Sequence, residues 1–320
     1  MADIYLRMAF CCYWTGCFRN GKGYHTRTML TLFTTGKPFT GHSGVIQRNA
    51  LASWRRLHPN VEVILFGDET GTAEVSRELG LRHEPRVERS ASGMKYLDYM
   101  FRRAQEVARN DLLSYVNCDI LLLSDYRRAL ERVAKKHDRF LMVGQRWDTN
   151  ITEPVDFTKP DWEQKLLGLA REKGVRQSTY MVDYFTFKRG LYADMPRLVV
   201  GRMWWDHWLV WRARASGADV VDVSKVVTAV HQNHDYGYHA KGYQGVNDDP
   251  ESHRNRELAG GLWHLYTIAD ATHSLRTSGE SRNWAAGLAP YRRHYTLKWF
   301  TVLDWTRPVR HAIGLRKRKK

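Results

Sequence analysis

The chain is poor in cysteine. Four occur in 320 residues: Cys11, Cys12 and Cys17 crowd the N-terminus and Cys118 stands alone. That is no disulfide framework, and it favours a reducing compartment. No fourth ligand pair with finger spacing follows the first three, which argues against a zinc finger. No stretch approaches the roughly 20 uninterrupted apolar residues of a membrane helix. G-x-G-x-x-G does not follow the first expected strand, and G-x-x-x-x-G-K-[ST] occurs nowhere, which disfavours a dinucleotide dehydrogenase or a P-loop enzyme. H-E-x-x-H, RRM motifs and evident repeats are missing as well. Acidic residues are in deficit, 34 against 50 Lys and Arg, for a net charge of +16. Such a balance favours polyanionic partners. Without a recognition motif it does not favour nucleic acid, and part of it sits in the tail at 316–320.

Aromatics are plentiful: 12 Trp and 16 Tyr argue against disorder. The length suits one large α/β domain with an extension. Residues 1–28 differ from the rest. A short apolar run at 8–14 is interrupted and followed by Gly21-Lys22-Gly23, a poor signal peptide. The folded unit, and translation itself, are expected to start at Met29.

From Met29 short apolar runs alternate with amphipathic ones. Strands are expected at 29–34, 61–66, 81–83, 112–116, 140–143, 184–187 and 220–230. Helices are expected at 44–57, 72–79 (capped by Thr72), 93–109, 125–136, 162–172 and 204–215. The last ninety residues are less regular and partly helical. This pattern predicts a layered α/β/α domain with a central, mostly parallel sheet over 29–245, and a partly helical C-terminal extension over 246–320. Ligands of such sheets sit beyond the carboxyl ends of the strands. Thr34, Thr35, Lys37, Gly67, Asp68, Asn117 and Asp119 all fall at such ends.

Asn117-Cys118-Asp119 carries the sharpest chemistry. Departure of a nucleoside diphosphate is helped by Mn²⁺ or Mg²⁺ bridging its phosphates. A carboxylate at the exposed end of a buried strand is a suitable holder. In extended chain Asn117 and Asp119 share a side while Cys118 faces away. Asp119 is therefore the expected metal ligand, and Asn117 a second ligand or a ribose contact. Both residues also suit a simple strand-end cap. Gln145, Arg146 and Asp148 end another strand, where Arg146 can clamp a phosphate and Asp148 can meet donor hydroxyls. Asp183 precedes a strand and is expected to read sugar or acceptor. Each also suits a structural ion pair. Asp206 lies among aromatics in Met203-Trp204-Trp205-Asp206-His207-Trp208, which can raise its basicity for general-base work; a first-turn helix aspartate is the plainer alternative. Trp204, Trp208 and Trp211 recur at helical spacing and are expected in the core, leaving Trp205 as the sugar-stacking candidate.

Several blocks together resemble GT-A-type nucleotide-diphospho-sugar transferases. They are Leu32-Phe33-Thr34-Thr35-Gly36-Lys37-Pro38-Phe39, Val63-Ile64-Leu65-Phe66-Gly67-Asp68-Glu69, Tyr115-Val116-Asn117-Cys118-Asp119-Ile120, Val143-Gly144-Gln145-Arg146-Trp147-Asp148, Asp183-Tyr184-Phe185 and His231-Gln232-Asn233-His234-Asp235-Tyr236. The resemblance runs from Met29 to Tyr243, with N-x-D standing where the family type has D-x-D. It implies a GT-A fold, a nucleotide-sugar donor, a divalent cation and an acceptor hydroxyl on a glycan or lipid-linked carrier. It implies base and ribose contacts at Thr34, Thr35 and Asp68, with Lys37 beside the phosphates or the base. It also implies a further metal ligand at His234 or His231, with Asp235 nearby, and the acceptor-activating carboxylate at Asp206.

The expected function is glycosyl transfer in polysaccharide or glycoconjugate synthesis. The alternatives are a sugar-nucleotide nucleotidyltransferase or a basic nucleotide- or nucleic-acid-binding protein. A cytoplasmic location is expected. The basic, aromatic tail, with Arg292, Arg293, Lys298, Trp299, Phe300, Trp305, Arg307 and Arg310, suits peripheral contact with an anionic membrane, or equally a packed helix with a loose end.

Overall fold

The computed structural model describes residues 30–234 and 242–288. Along the chain run β1 (Leu30–Thr35), α1 (Gly41–Arg55), β2 (Glu62–Phe66), α2 (Thr72–Leu79), β3 (Arg82–Glu84), α3 (Leu97–Val107) and β4 (Leu112–Val116). Then follow β5 (Ile120–Leu121), α4 (Ser124–Lys136), β6 (Phe140–Val143), β7 (Arg146–Thr149), α5 (Trp162–Lys173), β8 (Val175–Arg176) and β9 (Tyr184–Lys188). The chain continues through α6 (Trp205–Ala215), β10 (Asp219–Asp222), β11 (Ala229–Gln232), α7 (Gly242–Asp248), α8 (Pro250–Leu258), β12 (His273–Arg276) and β13 (Gly279–Arg282).

Nine strands form the central sheet, in the order β13-β12-β10-β6-β9-β4-β1-β2-β3. Strands β1, β2, β3 and β4 are parallel neighbours, as are β6, β10 and β12. Strand β9 lies antiparallel between β4 and β6, and β13 closes the far edge as a hairpin with β12. A second, four-stranded sheet has the order β5-β11-β7-β8. The layered α/β class with a mostly parallel central sheet is the class expected.

Continuous apolar strands such as Glu62–Phe66 and Phe140–Val143 are buried throughout because helices cover both faces. Alternation sends Leu32 to one face and Phe33 to the other. Phe33, Phe66, Tyr115 and Phe187 pack with Phe101 of α3 and with α6, whereas Leu32 and Leu65 pack with Trp54 of α1 and Tyr126 of α4. Phe101 sits edge-on to Phe33 at 4.9 Å and stacks on Phe187 at 5.7 Å. One polar knot interrupts the apolar layer. Tyr126 Oη donates to Ser114 Oγ at 2.9 Å and lies 2.6 Å from Thr186 Oγ1, with the two hydroxyls 3.0 Å apart. It ties α4 to the β4–β9 pair.

Several elements differ from expectation for identifiable reasons. Helix α2 is capped by Gly71, at φ 85°, and Thr72 is its first helical residue. Helix α3 starts at Leu97 rather than 93, because Lys95 and Tyr96 pair in bridges with Arg89 and Val199. The single strand expected at 220–230 is two strands in two sheets. Asp222 Oδ1 accepts from Ser224 N at 2.8 Å, and Asp125 Oδ2 accepts from Thr228 N at 2.9 Å, turning the chain between them. The 245/246 division expected from sequence falls inside α7, and β12 extends the central sheet beside β10. Among the described residues no helix is long and apolar enough to cross a membrane. The 1–28 segment, Met29, Asp235 and the basic tail lie outside the described residues.

The knot and the aromatic layer should separate in a denaturation series. Phe101→Ala is expected to cost about 3–5 kcal/mol. Tyr126→Phe should cost about 1 kcal/mol, since Ser114 and Thr186 still pair. Equal urea midpoints for the two variants would contradict this assignment.

Candidate active site

Strand direction gathers the polar residues. Strands β1, β2, β4 and β6 point one way, so Thr34, Thr35, Gly67, Asp68, Asn117 and Gln145 reach one edge of the sheet. Strand β9 runs the other way, which brings the residue before it, Asp183, to the same edge. The second sheet completes the set. In β11, His231 is in register with Ile120 of β5 on one side and Asp148 of β7 on the other. His231 therefore stands between Asp119 and Asp148.

The contacts form one chain. Asn117 Nδ2 donates to Asp183 Oδ1 at 2.8 Å, and Arg146 Nη1 donates to the same oxygen at 2.9 Å. Arg146 Nε reaches Asp148 Oδ1 at 2.8 Å, and Gln177 Nε2 holds Asp148 Oδ2 at 2.9 Å. His231 Nδ1 lies 3.1 Å from Asp148 Oδ1, a charge contact outside hydrogen-bond alignment. Its Nε2 is 3.8 Å from Asp119 Oδ2, which His234 Nε2 approaches to 3.1 Å. Burial pushes the Asp119 carboxyl up, but His231, His234 and Arg146 hold it well below the usual carboxylate range. His231 is shifted the other way: burial pushes it down, and Asp119 and Asp148 raise it above the ordinary imidazole value.

Asp119, His231 and His234 each bring one ligand atom within 4.8 Å of the others. Asp119 Oδ1 and Asp183 Oδ2 are buried without a hydrogen-bond partner. A carboxylate oxygen in that state is costly, and a divalent cation would satisfy it. One carboxylate with two imidazoles fits such an ion, and the nitrogens tilt the set from Mg²⁺ toward Mn²⁺.

Other expected residues take different places. Thr35 Oγ1 donates to Phe66 O at 2.9 Å and accepts from Lys95 Nζ at 2.6 Å. Thr34 is buried and Lys37 is exposed, its backbone held by Gln47. Asp68 is exposed and paired with Arg89 at 2.6 Å, which lowers its carboxyl pKa. Gln145 turns toward Gln177 O, at 2.6 Å. Asp148 has both oxygens engaged within the network. Asp206 is half-buried in the first turn of α6. Burial raises its carboxyl pKa, and the nearby Asp183 charge adds to that against the pull of His207. Trp205 is a correction: it is buried, edge-on to Tyr115 at 5.4 Å, and offers no face for a sugar. Its neighbour Trp204 is half-buried and holds φ 86°, the left-handed cap of α6.

Sequence reasoning missed Lys95, Glu69, Gln177 and Gln232. Lys95 is buried and joins Thr35, the Gly36 carbonyl at 2.8 Å and Glu69 at 2.5 Å. No signal marked it, since it fell inside an expected helix. Gly67 above it has φ 113°, and a Cβ there would meet Glu69 Oε2 at 2.3 Å. Gln232 was findable: next to His231 in a strand it must face inward, where it holds Asp119 O at 3.2 Å and Ile46 O at 2.8 Å.

No family model matches the chain, and no curated protein matches it. Solved structures of similar fold include glucosyl-3-phosphoglycerate synthase from Mycobacterium tuberculosis in complex with phosphoglyceric acid. It is 13% identical with a TM-score of 0.45, covering 74% of this chain and 81% of that one. The same enzyme with Mn²⁺, uridine-diphosphate and glucosyl-3-phosphoglycerate gives 11% and 0.44, over 74% and 81%. Residues 1–349 of S. aureus TarS with UDP-GlcNAc give 13% and 0.43, over 64% of this chain and 59% of that one. All three matches have TM-scores below 0.5.

The depressed Asp119 carboxyl sets a pH dependence. Its contribution to stability is complete above the unfolded value of about 3.9 and is lost as pH falls from there toward the lower folded value. In metal-free protein, Asp119→Asn should flatten the fall of the melting temperature below about pH 4. An acid limb as steep as the wild type's would show that Asp119 is not held by these partners.

Proposed function

We propose that the chain is a metal-dependent, inverting glycosyltransferase that moves a sugar from a nucleoside-diphosphate donor to an acceptor hydroxyl in polysaccharide or glycoconjugate synthesis. The observation that carries this reading is Asp119 at the strand-end edge: its Oδ2 faces two imidazoles while its Oδ1 is buried unsatisfied, and the Asp183 charge acts with burial to raise Asp206. A divalent cation bound there supplies charge that stabilises the departing diphosphate. Asp119, His231 and His234 would hold it.

The rest follows from the chain's own groups. Lys37 and Asp68 are exposed at the strand-end edge and would meet the nucleoside, while Thr34 is buried beneath them and Lys95 fixes the Thr35–Gly36 turn. Arg146 locks Asp148 and Asp183, so their carboxylates stay put as charge develops. The acceptor oxygen attacks the anomeric carbon, the carbon–oxygen bond to the diphosphate breaks, and the hydroxyl proton passes to Asp206. A carboxylate raised by burial is suited to accept it.

A panel of UDP-, GDP- and other nucleotide sugars, scored for donor hydrolysis with and without Mn²⁺, tests the reading. Metal-dependent hydrolysis of one donor is expected. Asp206→Asn should lower kcat by about 10²–10⁴ with little change in donor KM. The acid limb of the wild-type rate should lie above the value of an ordinary aspartate, because burial raises Asp206 and it must be deprotonated to act. Metal-dependent turnover that survives Asp119→Ala would overturn the metal assignment.

A further inference from the structure

At the other end of the central sheet a second group of ligating side chains converges from four elements. His137 follows α4, Asp219 opens β10, His273 opens β12 and Glu280 lies in β13. His137 Nδ1 is 2.8 Å from Asp219 Oδ2, and His273 Nδ1 is 3.6 Å from Asp219 Oδ1. The two imidazole rings are 5.0 Å apart. His137, Asp219 and His273 each bring one ligand atom within 4.8 Å of the others. The opposite nitrogen of His137, Nε2, is 3.1 Å from both Glu280 oxygens. The side chains of His137 and Glu280 are 7% and 8% exposed.

We propose that His137, Asp219 and His273 form a structural zinc site, with Glu280 orienting His137 from behind. The geometry fits the ion. Tetrahedral Zn²⁺ with bonds of 2.0–2.1 Å has ligand–ligand edges of about 3.3 Å; the two imidazoles approach different oxygens of Asp219, at 2.8 and 3.6 Å, so the carboxylate stands between them. With zinc on Nδ1, Glu280 would complete the carboxylate–histidine–zinc arrangement by accepting the Nε2 proton.

The position argues for a structural role. Asp219 and His273 are the first residues of β10 and β12, whereas the candidate active site lies beyond the opposite ends of the parallel strands. Beside the metal only two residue pairs hold β12 to β10. An ion joining both strands to the end of α4 would fasten the β12–β13 hairpin to the sheet.

The test uses the full chain, with Zn²⁺ alone as probe. A His231→Ala/His234→Ala background disables the other cluster. After dialysis against Zn²⁺ and gel filtration, that protein should retain one zinc per chain, with a melting temperature above that of the chelator-treated sample. Adding His273→Ala should reduce retention at least tenfold and abolish the melting shift, with the far-UV circular dichroism unchanged. Glu280→Gln keeps the shape and should weaken zinc about 10–100-fold, which keeps the proposal testable if His273→Ala misfolds. Absence of retained zinc in the background protein, or retention untouched by both substitutions, would overturn it. Donor hydrolysis plays no part in the readout, so failure here leaves the glycosyltransferase reading intact.

Discussion

One reversed strand sets the geometry on which the candidate site depends. Strand β9 enters the sheet antiparallel between β4 and β6. A parallel strand in that slot would begin at the far edge and carry Asp183 away from Asn117. Reversal places the two side by side: Asn117 N donates to Asp183 O at 2.9 Å, and their side chains bond as well. The slot is fixed from below by the hydroxyl knot of Ser114, Thr186 and Tyr126, buried where hydrogen bonds have few competitors. A slip of β9 by one residue would turn Thr186 to the other face and break that knot. Register in the core and position at the site are therefore one constraint.

Electrostatics decides what such a site can hold. Asp119, Asp148 and Asp183 converge, with Asp206 close behind, and in this network Arg146 is the permanent cation. Arg146 serves Asp148 and Asp183 directly and leaves Asp119 to the imidazoles. A protein with a net charge of +16 has thus gathered negative charge at one point of its sheet. Histidines can offset it by taking up protons, which explains the raised His231. A divalent cation offsets it more fully and also occupies the unpartnered Asp119 oxygen.

Much of this arrangement was legible in the sequence. Continuous apolar runs bounded by polar residues marked the strands at 63–66 and 140–143, because a strand buried on both faces reads as such a run. Strand-end placement singled out Asn117, Asp119, Arg146 and Asp148, Asp183 stood just before a strand, and the family resemblance added His231 and His234; these residues do meet. Two kinds of feature escaped. His273–Arg276 and Gly279–Arg282 form the hairpin at the edge of the sheet, and Leu275 is their one buried residue, so they lack the apolar pattern and depend on a distant partner, β10. Lys95 and Trp205 were misplaced for a related reason. A lysine is buried here only because Glu69 and Thr35 meet it, and Trp205 turns inward because Tyr115 and Phe185 form its pocket. Those are tertiary facts with no local signature.

The segment after α8 also has a place in the chemistry. Helix α6 carries Asp206 at its start, and residues from the C-terminal part of the described chain brace it along its length. His207 Nδ1 lies 2.8 Å from Tyr266 O, Trp211 stacks on His264 at 3.6 Å, and Arg214 donates to Asp270 O and to Ala286 O. The helix then passes directly into β10, whose first residue is Asp219. Its cap, Trp204, is held in a left-handed conformation that a bulky side chain adopts only when its surroundings impose it. The position of Asp206 is thus set from both ends of α6, by a strained cap and by packing that the 246–288 region supplies. If Asp206 serves as the base under the proposed function, that rigidity bears on the rate, since small displacements of a catalytic group are costly.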